Sequence, residues 1–519
     1  MIKKTWPLLA VFLISLIPLL DLFHHGLFIA HDSRDHVARI ANFCQSLAEG
    51  NVVPRWAANL NWGFGHPILM FLYPLPSYVG CLFHFLGFSL VESTKIVFGL
   101  GFILSGIFMY LWVKEMWGRE AGLIAGILYM FAPYRFVDLY VRGAIGENFA
   151  FIWPPLVCFF ALKLSRQVKW VYLVGGSLSL AALILSHNAL SLMFLPVILG
   201  YLGSLGYSLS KKRRFSFIVH CLLFIVLGFA ISAFFWFPAF FEGKYTLRDI
   251  VTKGNITGFE KLSRLFYSPW NYGGTGVFSV QLGILQWVMI ILSPFIIWQF
   301  FRKKDKNWLF LFFLFLCFWV AIFFILPASR FLYFKITLLQ KFQFAWRFLS
   351  LAIFPPAIFA GALIRLLSKR LKLFIAGSLL LVALFLNRNY WQAKDFSYKP
   401  ESFYSGVYPG TTDTGESAPR WSIRFMGRYP RAPIEVIEGE AEVKEITRST
   451  TKHEYLIKAE TPTRLVENTL YFPGWTVWVD GQKTEVQFQD PNFRGLMTFW
   501  LPEGEHQLIV KFGETRLRL

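Results

Sequence analysis

The sequence predicts a mainly α-helical, polytopic membrane protein of about eleven transmembrane helices that ends in a soluble β-sandwich domain. Two features of the composition predict the membrane part: 55% of the 519 residues are hydrophobic, and the mean hydropathy is +0.49. An average soluble domain is about 25% charged, whereas only 16% of this chain is charged. The third observation is a change of character near Asn387, after which no apolar run is long enough to cross a bilayer.

Apolar runs of the length that crosses a hydrocarbon core, about 20 residues for a helix, recur throughout residues 1–387. Short clusters of basic residues separate many of these runs, and the positive-inside rule assigns such clusters to the cytoplasm. An even number of crossings must then lie between successive clusters. The spans that satisfy this condition place the N-terminus in the cytoplasm and the C-terminus outside; they are predicted at 5–23, 95–113, 120–133, 148–164, 169–186, 189–208, 215–238, 279–300, 308–327, 347–366 and 371–387.

Two apolar stretches need a separate interpretation. The N-terminal run lacks a small-x-small cleavage site before Asp21, so we expect an uncleaved first helix. Residues 67–88 would add a crossing that breaks the even count, and Pro74 and Pro76 interrupt helical hydrogen bonds there. We therefore predict a re-entrant or interfacial segment, which protein or a wet cavity must shelter at membrane depth.

The net charge of +20 and the five cysteines do not indicate other classes of protein. The basic residues lie in separate clusters and form no single basic face, so no nucleic-acid partner is expected. The cysteines form no CxxC pair, and four lie in or beside apolar segments, so neither a disulfide framework nor a metal-thiolate site is expected. They are Cys44, Cys81, Cys158, Cys221 and Cys317.

Residues 388–519 are predicted to form an extracytoplasmic, β-rich domain. Apolar and polar residues alternate there, and turns such as Asp480-Gly481 mark hairpins, which together favour an antiparallel β-sandwich. The domain could bind carbohydrate or an acceptor, or only cover a site, and the tryptophans at 475, 478 and 500 fit a sugar platform or a core. The strand patterns begin at Glu435, Ala441, Glu454, Trp475, Leu496 and His506.

Four longer segments face outward in this topology, whereas the inner loops are short. The outer segments are 24–94, 134–147, 239–278 and 328–346. This asymmetry predicts that the chemistry lies on the outer side of the membrane.

The first outer loop opens with two carboxylates and two imidazoles within six residues, from His31 to His36. Asp32, Asp35, His36 and Arg39 are spaced by three or four residues or lie adjacent, so on a helix they would share a face. A carboxylate here could act as a general base or hold a divalent cation. A solvated juxtamembrane turn is the alternative.

The second outer loop places Asp138, Arg142 and Glu147 between two apolar runs. Ionisable residues so close to membrane depth are candidates for function. The alternative is an Arg–Asp pair that joins two helices.

Further candidates stand at other outer positions. Arg55 and Trp56 fit either an interfacial aromatic belt or a sugar or phosphate site. His187 stands alone at the outer end of a helix, which favours a structural role. Gln343 precedes Arg347 at the start of the tenth span, where an arginine either reaches to the interface or grips a phosphate with its planar fork.

The sequence contains no P-loop, GxGxxG, HExxH or GxSxG motif. Their absence argues against an ATP-driven transporter and against a dinucleotide-dependent enzyme. Clear internal repeats, which are typical of secondary transporters, are also missing from the sequence.

The layout of residues 1–387 resembles the GT-C superfamily of membrane glycosyltransferases. Those enzymes have an N-terminal helix, a large outer loop with a key Asp, and a second acidic motif in the next outer loop. More narrowly, the chain is similar to bacterial membrane proteins labelled as related to 6-pyruvoyl-tetrahydropterin synthase, although the zinc-binding His triad that this label implies has no plausible counterpart. The strings that carry this similarity are Asp32 to His36 with Arg39, Gly50 to Trp56, Gly63 to Gly65, Tyr134 to Glu147, Phe342 to Arg347, Thr411 to Trp421 and Tyr471 to Gly481.

The GT-C resemblance implies a glycosyltransferase of the outer face of a bacterial cell membrane, with a polyprenyl-phosphate-linked sugar as donor and a glycan or lipid as acceptor. It implies Asp32 as the first-loop acid and Asp138 or Glu147 as the second-loop acid, all three as catalytic candidates. A divalent cation between such acids is implied for some members, but the Asp-x-x-Asp spacing here leaves a metal open. Substrate contacts are expected from Asp35, His36, Arg39, Arg55, Trp56, Arg142, His187, Gln343 and Arg347.

The alternative function is a non-enzymatic membrane protein that handles or translocates a lipid-linked glycan in envelope assembly. A transferase requires the carboxylate of Asp32, whereas a carrier should tolerate an amide at that position.

Overall fold

A computed structural model describes residues 2–252, 256–273 and 277–519 of the chain. The chain divides into two compact units, each built from several segments. The first unit comprises Met1–Ser33, Lys95–Ser232 and Gly254–Tyr398, and the second comprises Arg34–Thr94, Ala233–Lys253 and Lys399–Leu519. The C-terminal tail thus shares its unit with most of the predicted first outer loop, whereas the division into residues 1–387 and 388–519 stays a prediction.

The helices of the membrane part confirm the predicted fold class. Over the ranges described above, nine helices are long and apolar enough to cross a bilayer, and a tenth candidate is the pair Arg119–Met130 and Pro133–Val141, bent by 53°. The apolar helix Trp170–Ser186 is shorter, with 17 residues, so the count of full-length spans is nine or ten rather than about eleven. The nine are Trp6–Phe23, Leu90–Trp117, Ile145–Arg166, Asn188–Ser208, Lys211–Ile231, Ile284–Arg302, Asn307–Ile325, Ala345–Leu366 and Lys369–Asn387.

The predicted span at 215–238 ends earlier than expected. The helix Lys211–Ile231 stops at Ser232, whose hydroxyl donates to the Gly228 carbonyl at 2.9 Å, and a separate helix, Ala233–Glu242, belongs to the second unit. A side-chain hydroxyl that bonds back to a helical carbonyl competes with the backbone hydrogen bonds, which favours a bend at this position.

Residues 67–88 contain only the short helices Ile68–Phe71 and Leu75–Phe85. The second has 11 residues, about half of what a helix needs to cross a hydrocarbon core. The chain turns before Leu75 because Pro74 and Pro76 lack the N–H groups of a continuous helix. The interpretation as an interfacial or re-entrant segment stays a prediction.

A disulfide corrects the expectation drawn from the cysteine spacing. Cys44 in the helix Ser33–Ala48 is bonded to Cys81 in the helix Leu75–Phe85, with the two Cα atoms 5.3 Å apart. The two residues lie 37 positions apart in the sequence, so their pairing depends on how the two helices pack and leaves no local spacing signal.

The first unit contains one short antiparallel pair among its described residues, β1 (Leu27–Phe28) with β2 (Phe396–Ser397). Leu27 pairs with Ser397 and Phe28 with Phe396, so the start of the first outer loop is hydrogen-bonded to the chain that follows the last span. This pairing positions residues 29–33, which lead to the site.

The second unit contains two antiparallel sheets that share one core. Their strands are β3 (Ile434–Glu438), β4 (Ala441–Arg448), β5 (Lys452–Ala459), β6 (Thr463–Leu470), β7 (Trp475–Val479), β8 (Gln482–Thr484), β9 (Leu496–Leu501) and β10 (Gly504–Phe512). The larger sheet has the order β4-β5-β10-β7-β8 and the smaller the order β3-β6-β9. Their inward residues, together with Trp56, Phe64 and Phe71 of the first outer loop, form a single apolar cluster.

The other helices of the second unit are short, and they connect the sheets to the segments described above. They include Asn61–Gly63, Arg248–Thr252, Glu401–Ser405 and Pro491–Phe493. The first unit has comparable short elements at Leu262–Phe266, Pro327–Ser329, Arg330–Lys335 and Thr337–Gln340.

Candidate functional site

The candidate site is a buried cluster of charged side chains in the first unit, centred on the segment between Met130 and Glu147. Residues Val137–Val141 form one wide π-helical turn, in which the Arg142 N–H donates to the Val137 carbonyl at 2.8 Å. Wide turns of this kind occur frequently at functional sites. The turn ends at Gly143, whose φ of +63° is a conformation that glycine adopts without strain.

Glu147 is the centre of the cluster and is fully buried. Its Oε1 accepts hydrogen bonds from Arg142 Nη2 and from Arg347 Nε, both at 2.9 Å. Its Oε2 accepts from the Tyr134 hydroxyl at 2.9 Å and from the Ser350 hydroxyl at 3.2 Å. One carboxylate oxygen therefore holds two guanidinium groups side by side. One of them, that of Arg347, lies 200 residues away from Glu147 in the sequence.

Asp138 forms the second ion pair of the cluster. Its Oδ1 lies 2.5 Å from Arg142 Nη1, and the residue is fully buried. In the part of the chain that the structure describes, its Oδ2 has no hydrogen-bond partner. An Arg–Asp pair is thus present, but it connects residues four apart around one turn rather than two helices, as the alternative interpretation had it.

Arg135 is a member of this neighbourhood that the sequence analysis did not select. Its guanidinium is fully buried over the Phe151 ring, 4.2 Å from the ring centre, and Nη2 donates to the Ser105 hydroxyl at 2.9 Å. Among the described residues, Nε and Nη1 of Arg135 have no hydrogen-bond partner. The sequence does not show whether an arginine will be buried. The position of Arg135 three residues before Asp138 is the signal that could have indicated its place near the cluster.

The basic side chains and the acids differ in their accessibility. Arg142, His187 and Arg347 each keep 7% of their surface exposed, whereas Asp138 and Glu147 keep none. His187 Nδ1 accepts from the Leu190 N–H at 3.2 Å and caps the helix Asn188–Ser208, which is a structural role of the kind the sequence favoured. Its Nε2 also lies 3.9 Å from Glu147 Oε1, so the imidazole joins the cluster. The accessible part of the cluster is therefore basic, with both acids behind it.

Aromatic rings enclose the guanidinium groups. The Trp346 ring lies under Arg142 at 4.5 Å from its centre, and the Phe344 ring lies 5.5 Å from the Arg347 guanidinium carbon. Gly258 supports Trp346: a Cβ on this glycine would meet the indole at 2.3 Å, and its φ is +78°. The first unit thus needs glycine at position 258 for the ring to lie there.

Arg347 is also fixed by the chain that precedes it. Its Nη1 donates to the Phe342 carbonyl at 2.8 Å and to Gln343 Oε1 at 3.2 Å. Gln343 has a φ of +64°, an uncommon conformation for a residue with a side chain. The predicted pair of Gln343 and Arg347 is therefore joined directly, and Gln343 belongs to the site through Arg347.

Asp32 lies next to the cluster along the backbone. Its N–H donates to the Arg142 carbonyl at 2.9 Å, and the N–H of His31 donates to the Val141 carbonyl at 3.0 Å. The Asp32 side chain is exposed. The structure thus brings the backbone of the first-loop acid to the segment that carries Asp138 and Glu147.

The remaining first-loop candidates lie in the second unit. Asp32 precedes the helix Ser33–Ala48, so of the four residues that the spacing grouped, only Asp35, His36 and Arg39 lie on that helix. Asp35 accepts from the Tyr408 hydroxyl at 2.7 Å, and Arg39 Nη1 lies 3.0 Å from His36 Nδ1. Arg39 also donates to the Thr412 hydroxyl at 3.3 Å, so these residues hold the segment at 408–412.

Arg55 and Trp56 also have structural partners in the second unit. Trp56 is 1% exposed and packs edge-on against Trp475, with the ring centres 5.4 Å apart. Arg55 Nε donates to Glu514 Oε1 at 2.9 Å. Both side chains thus make contacts that stabilise the second unit, and their substrate-binding role stays a prediction.

The cluster does not have the composition of a cation site. Over the ranges with described coordinates, no group of three or more His, Cys, Asp or Glu side chains could hold a metal ion. Asp138 and Glu147 are each paired with arginine, which a cation would have to displace. We therefore assign no metal-dependent step to these residues.

Sequence comparison matches this chain to a family model and to a bacterial protein. A family model described as a 6-pyruvoyl-tetrahydropterin synthase related domain of a membrane protein matches residues 69–391. A protein of Lactococcus lactis subsp. cremoris (strain MG1363), described as uncharacterized, is 26% identical over 223 residues, which are 42% of this chain and 36% of that protein. The match thus spans little more than a third of the relative's length.

This chain is also similar in structure to several solved proteins. ArnT from Cupriavidus metallidurans bound to undecaprenyl phosphate is 14% identical with a TM-score of 0.42, over 77% of this chain and 68% of that chain. Arabinofuranosyltransferase AftD from Mycobacteria is 15% identical with a TM-score of 0.47, over 74% and 26%. The Archaeoglobus fulgidus oligosaccharyltransferase, in complex with Zn and sulfate, is 14% identical with a TM-score of 0.42, over 77% and 53%.

Proposed function

This chain belongs to the family of membrane proteins described as 6-pyruvoyl-tetrahydropterin synthase related. We propose that it is a glycosyltransferase. Its donor is a polyprenyl-phosphate-linked sugar, its acceptor is a glycan or lipid, and the reaction takes place at the outer face of the membrane. The observation that carries this proposal is the pair of guanidinium groups that Glu147 holds side by side.

The charges of the cluster favour an anionic ligand. Arg135, Arg142 and Arg347 contribute three positive charges, and Asp138 and Glu147 contribute two negative charges, so one positive charge remains. A buried charge without a counter-charge is costly. A phosphate group on a membrane lipid supplies that counter-charge, and planar guanidinium groups match the geometry of phosphate oxygens.

The accessible surface of the cluster is consistent with the same ligand. Arg142, His187 and Arg347 are its partly exposed members, and both acids lie behind them. In this arrangement Asp138 and Glu147 act as positioning residues that orient the arginines. The exposed carboxylate at this place in the unit is Asp32, which we propose as the catalytic base.

The reaction follows from these roles. The Asp32 carboxylate accepts the proton of an acceptor hydroxyl, and the oxygen forms a bond to the anomeric carbon of the sugar. The bond from that carbon to the phosphate oxygen breaks, and its electrons remain on the polyprenyl phosphate. Arg142 and Arg347 stabilise the charge that develops on this leaving group.

Sugar transfer by the purified protein in liposomes tests the proposal. A panel of polyprenyl-phosphate sugars serves as donors, envelope extract serves as acceptor, and Asp32→Asn is compared with the unaltered protein. We expect transfer by the unaltered protein and its loss in Asp32→Asn, by about 100-fold or more, as for other general bases. Asp395→Asn, another exposed carboxylate of the same unit, is the matched control and should retain activity.

The other outcomes have definite meanings. No transfer from any donor would contradict the proposal and favour the alternative function, a carrier of lipid-linked glycans. Equal transfer by Asp32→Asn and the unaltered protein would retain the enzyme but exclude Asp32 as its base, and Asp138→Asn and Glu147→Gln would then be compared.

A further inference from the structure

Residues 330–341 form a segment that exposes large apolar side chains between two of the candidate spans. This interfacial segment contains the short helices Arg330–Lys335 and Thr337–Gln340. Four of its apolar residues are between 44% and 57% exposed. They are Phe331, Phe334, Ile336 and Leu338.

The segment is anchored to the first unit by its other face. Tyr333 is buried, its hydroxyl donates to the Phe324 carbonyl at 3.0 Å, and its ring meets Phe259 at 5.2 Å. Leu339 is also buried, and Gln340 Nε2 donates to the Tyr333 carbonyl at 2.9 Å. The exposed apolar side chains therefore belong to an ordered surface with a defined inner face.

The chain places this surface at the edge of the bilayer. The segment follows the candidate span Asn307–Ile325, and the candidate span Ala345–Leu366 begins four residues after its end. Both neighbouring helix ends must lie near the membrane boundary, so the segment between them lies there too. Large apolar side chains at this depth are buried among lipid head groups and acyl chains rather than in water.

The charges of the segment indicate which lipids it contacts. Arg330, Lys335 and Lys341 are exposed among the apolar side chains. No Asp or Glu occurs in the sequence between Asp305 and Asp395, so the charged side chains of the segment itself are all basic. Basic side chains beside apolar ones are the pattern of surface helices that bind anionic lipids.

We propose that the interfacial segment docks on the anionic phospholipid surface of the leaflet in which the two neighbouring spans end. Phe331, Phe334, Ile336 and Leu338 enter the head-group region, and the cations contact lipid phosphates. The segment leads directly to Phe342 and Gln343, whose oxygens accept from Arg347, so this lipid contact lies beside the buried cluster. Docking of the interfacial segment does not require sugar transfer.

An environment-sensitive fluorophore on a single cysteine tests the docking in the full-length protein. Phe334→Cys and, separately, Phe331→Cys are labelled with NBD in a Cys317→Ala background; Cys158 and Cys221 are buried and Cys44 is bonded to Cys81. The labelled proteins are placed in nanodiscs of phosphatidylcholine with or without phosphatidylglycerol. Quenching by lipids that carry a nitroxide near the head group reports contact with the interface.

Two reference positions give the emission and quenching expected of a lipid-facing site and of an exposed site on the sheet domain. Leu381→Cys, 67% exposed on the span Lys369–Asn387, reports a lipid-facing site, and Leu456→Cys, 48% exposed on β5, reports an exposed site on the sheet domain. We expect blue-shifted emission and nitroxide quenching at positions 331 and 334, with stronger quenching when phosphatidylglycerol is present. The double variant Lys335→Gln/Lys341→Gln should lose that additional quenching.

Three results would overturn the proposal. Unquenched emission like that at Leu456, at both probe positions, would show that the segment stays in water. Blue-shifted but unquenched emission would show that protein, such as a second copy of the chain, covers the surface. Quenching that does not respond to phosphatidylglycerol, or to the loss of both lysines, would exclude an anionic lipid as the partner.

Discussion

At the scale of single residues, one carboxylate decides the arrangement of the candidate site. Glu147 has no exposed surface, and each of its oxygens accepts two hydrogen bonds from side chains. In a medium of low polarity such a carboxylate is stable only with its partners, and the partners are stable only with it. Glu147 is therefore expected to contribute to stability as well as to the position of both arginines.

We predict that Glu147→Gln lowers the free energy of unfolding by about 3–5 kcal/mol, because two buried guanidinium groups lose their counter-charge. Arg347→Gln should also destabilise, and the double variant should lose less than the sum of the two. Thermal unfolding in detergent measures these changes. Glu115→Gln is the control: its partners Lys163 and Arg166 are partly exposed, so its effect should stay within about 1 kcal/mol.

Asp413 in the second unit is another buried carboxylate that its partners stabilise, and its effect on stability should depend on pH. Burial alone would raise the pKa of Asp413, but the interaction with His66, whose Nε2 lies 3.4 Å from Oδ1, opposes it. Hydrogen bonds from the N–H groups of Gly415 and Ser417 act in the same direction. Together they lower the pKa of Asp413 from 3.8 to about 2.

A depressed carboxyl pKa contributes stability above the unfolded-state pKa, and this stability is lost as the pH falls through the folded-state value. We therefore predict that the second unit loses roughly 2 kcal/mol between about pH 4 and pH 2 through this residue. Thermal unfolding at pH 5 and at pH 3 should show a smaller difference in Asp413→Asn than in the unaltered protein. His66→Gln, which removes the facing ring, should reduce the difference in the same way; unchanged pH dependence in both variants would contradict the prediction.

At the scale of elements, the strand β6 is one of two strands of the sandwich, with β8, that the sequence analysis did not predict. Its residues Glu467, Asn468 and Thr469 are polar yet buried, so the alternation that identified six strands is absent here. Glu467 accepts from His453 and from the Tyr455 hydroxyl on β5, at 2.9 and 2.8 Å. A polar strand is tolerated in the core here because its partners lie on the strands that pack against it.

The disulfide between Cys44 and Cys81 joins two elements that the sequence analysis treated separately. We predict that Cys44→Ser/Cys81→Ser lowers the free energy of unfolding by about 2–4 kcal/mol, because the denatured chain gains the freedom of a large loop. In the denatured protein, two additional thiols should react with a maleimide after reduction. Cys317→Ser is the control and should leave that difference unchanged; the same number of reactive thiols before and after reduction would exclude the bond.

At the scale of the whole molecule, the disulfide and the distribution of basic residues lead to the same orientation. Disulfides persist in oxidising compartments and are rare in the cytosol. Cys44 and Cys81 lie in the first outer loop of the predicted topology, which the positive-inside rule places outside. Both features favour a cytoplasmic N-terminus and an extracytoplasmic sheet domain, and we propose this topology.

We predict that a membrane-impermeant maleimide labels Ser89→Cys on intact cells, because the segment at 67–88 does not cross the bilayer in this topology. Lys212→Cys, which lies in a basic cluster assigned to the cytoplasm, should react only after the membrane is permeabilised. The background variant without accessible thiols provides the blank. Labelling of Ser89→Cys from the cytoplasmic side alone would make the even-crossing assignment wrong.

The sequence by itself determined the fold class, the approximate places of most membrane-spanning helices and six of the eight strands of the sandwich. Each of these depends on a local pattern: lipid requires a continuous apolar run, and a half-buried strand requires alternation. Only the tertiary structure decided that Glu147 joins Arg142 to Arg347, that Cys44 bonds to Cys81 and that Arg135 is buried. Such contacts link residues far apart in the chain or depend on what surrounds a side chain, and local spacing carries no record of either.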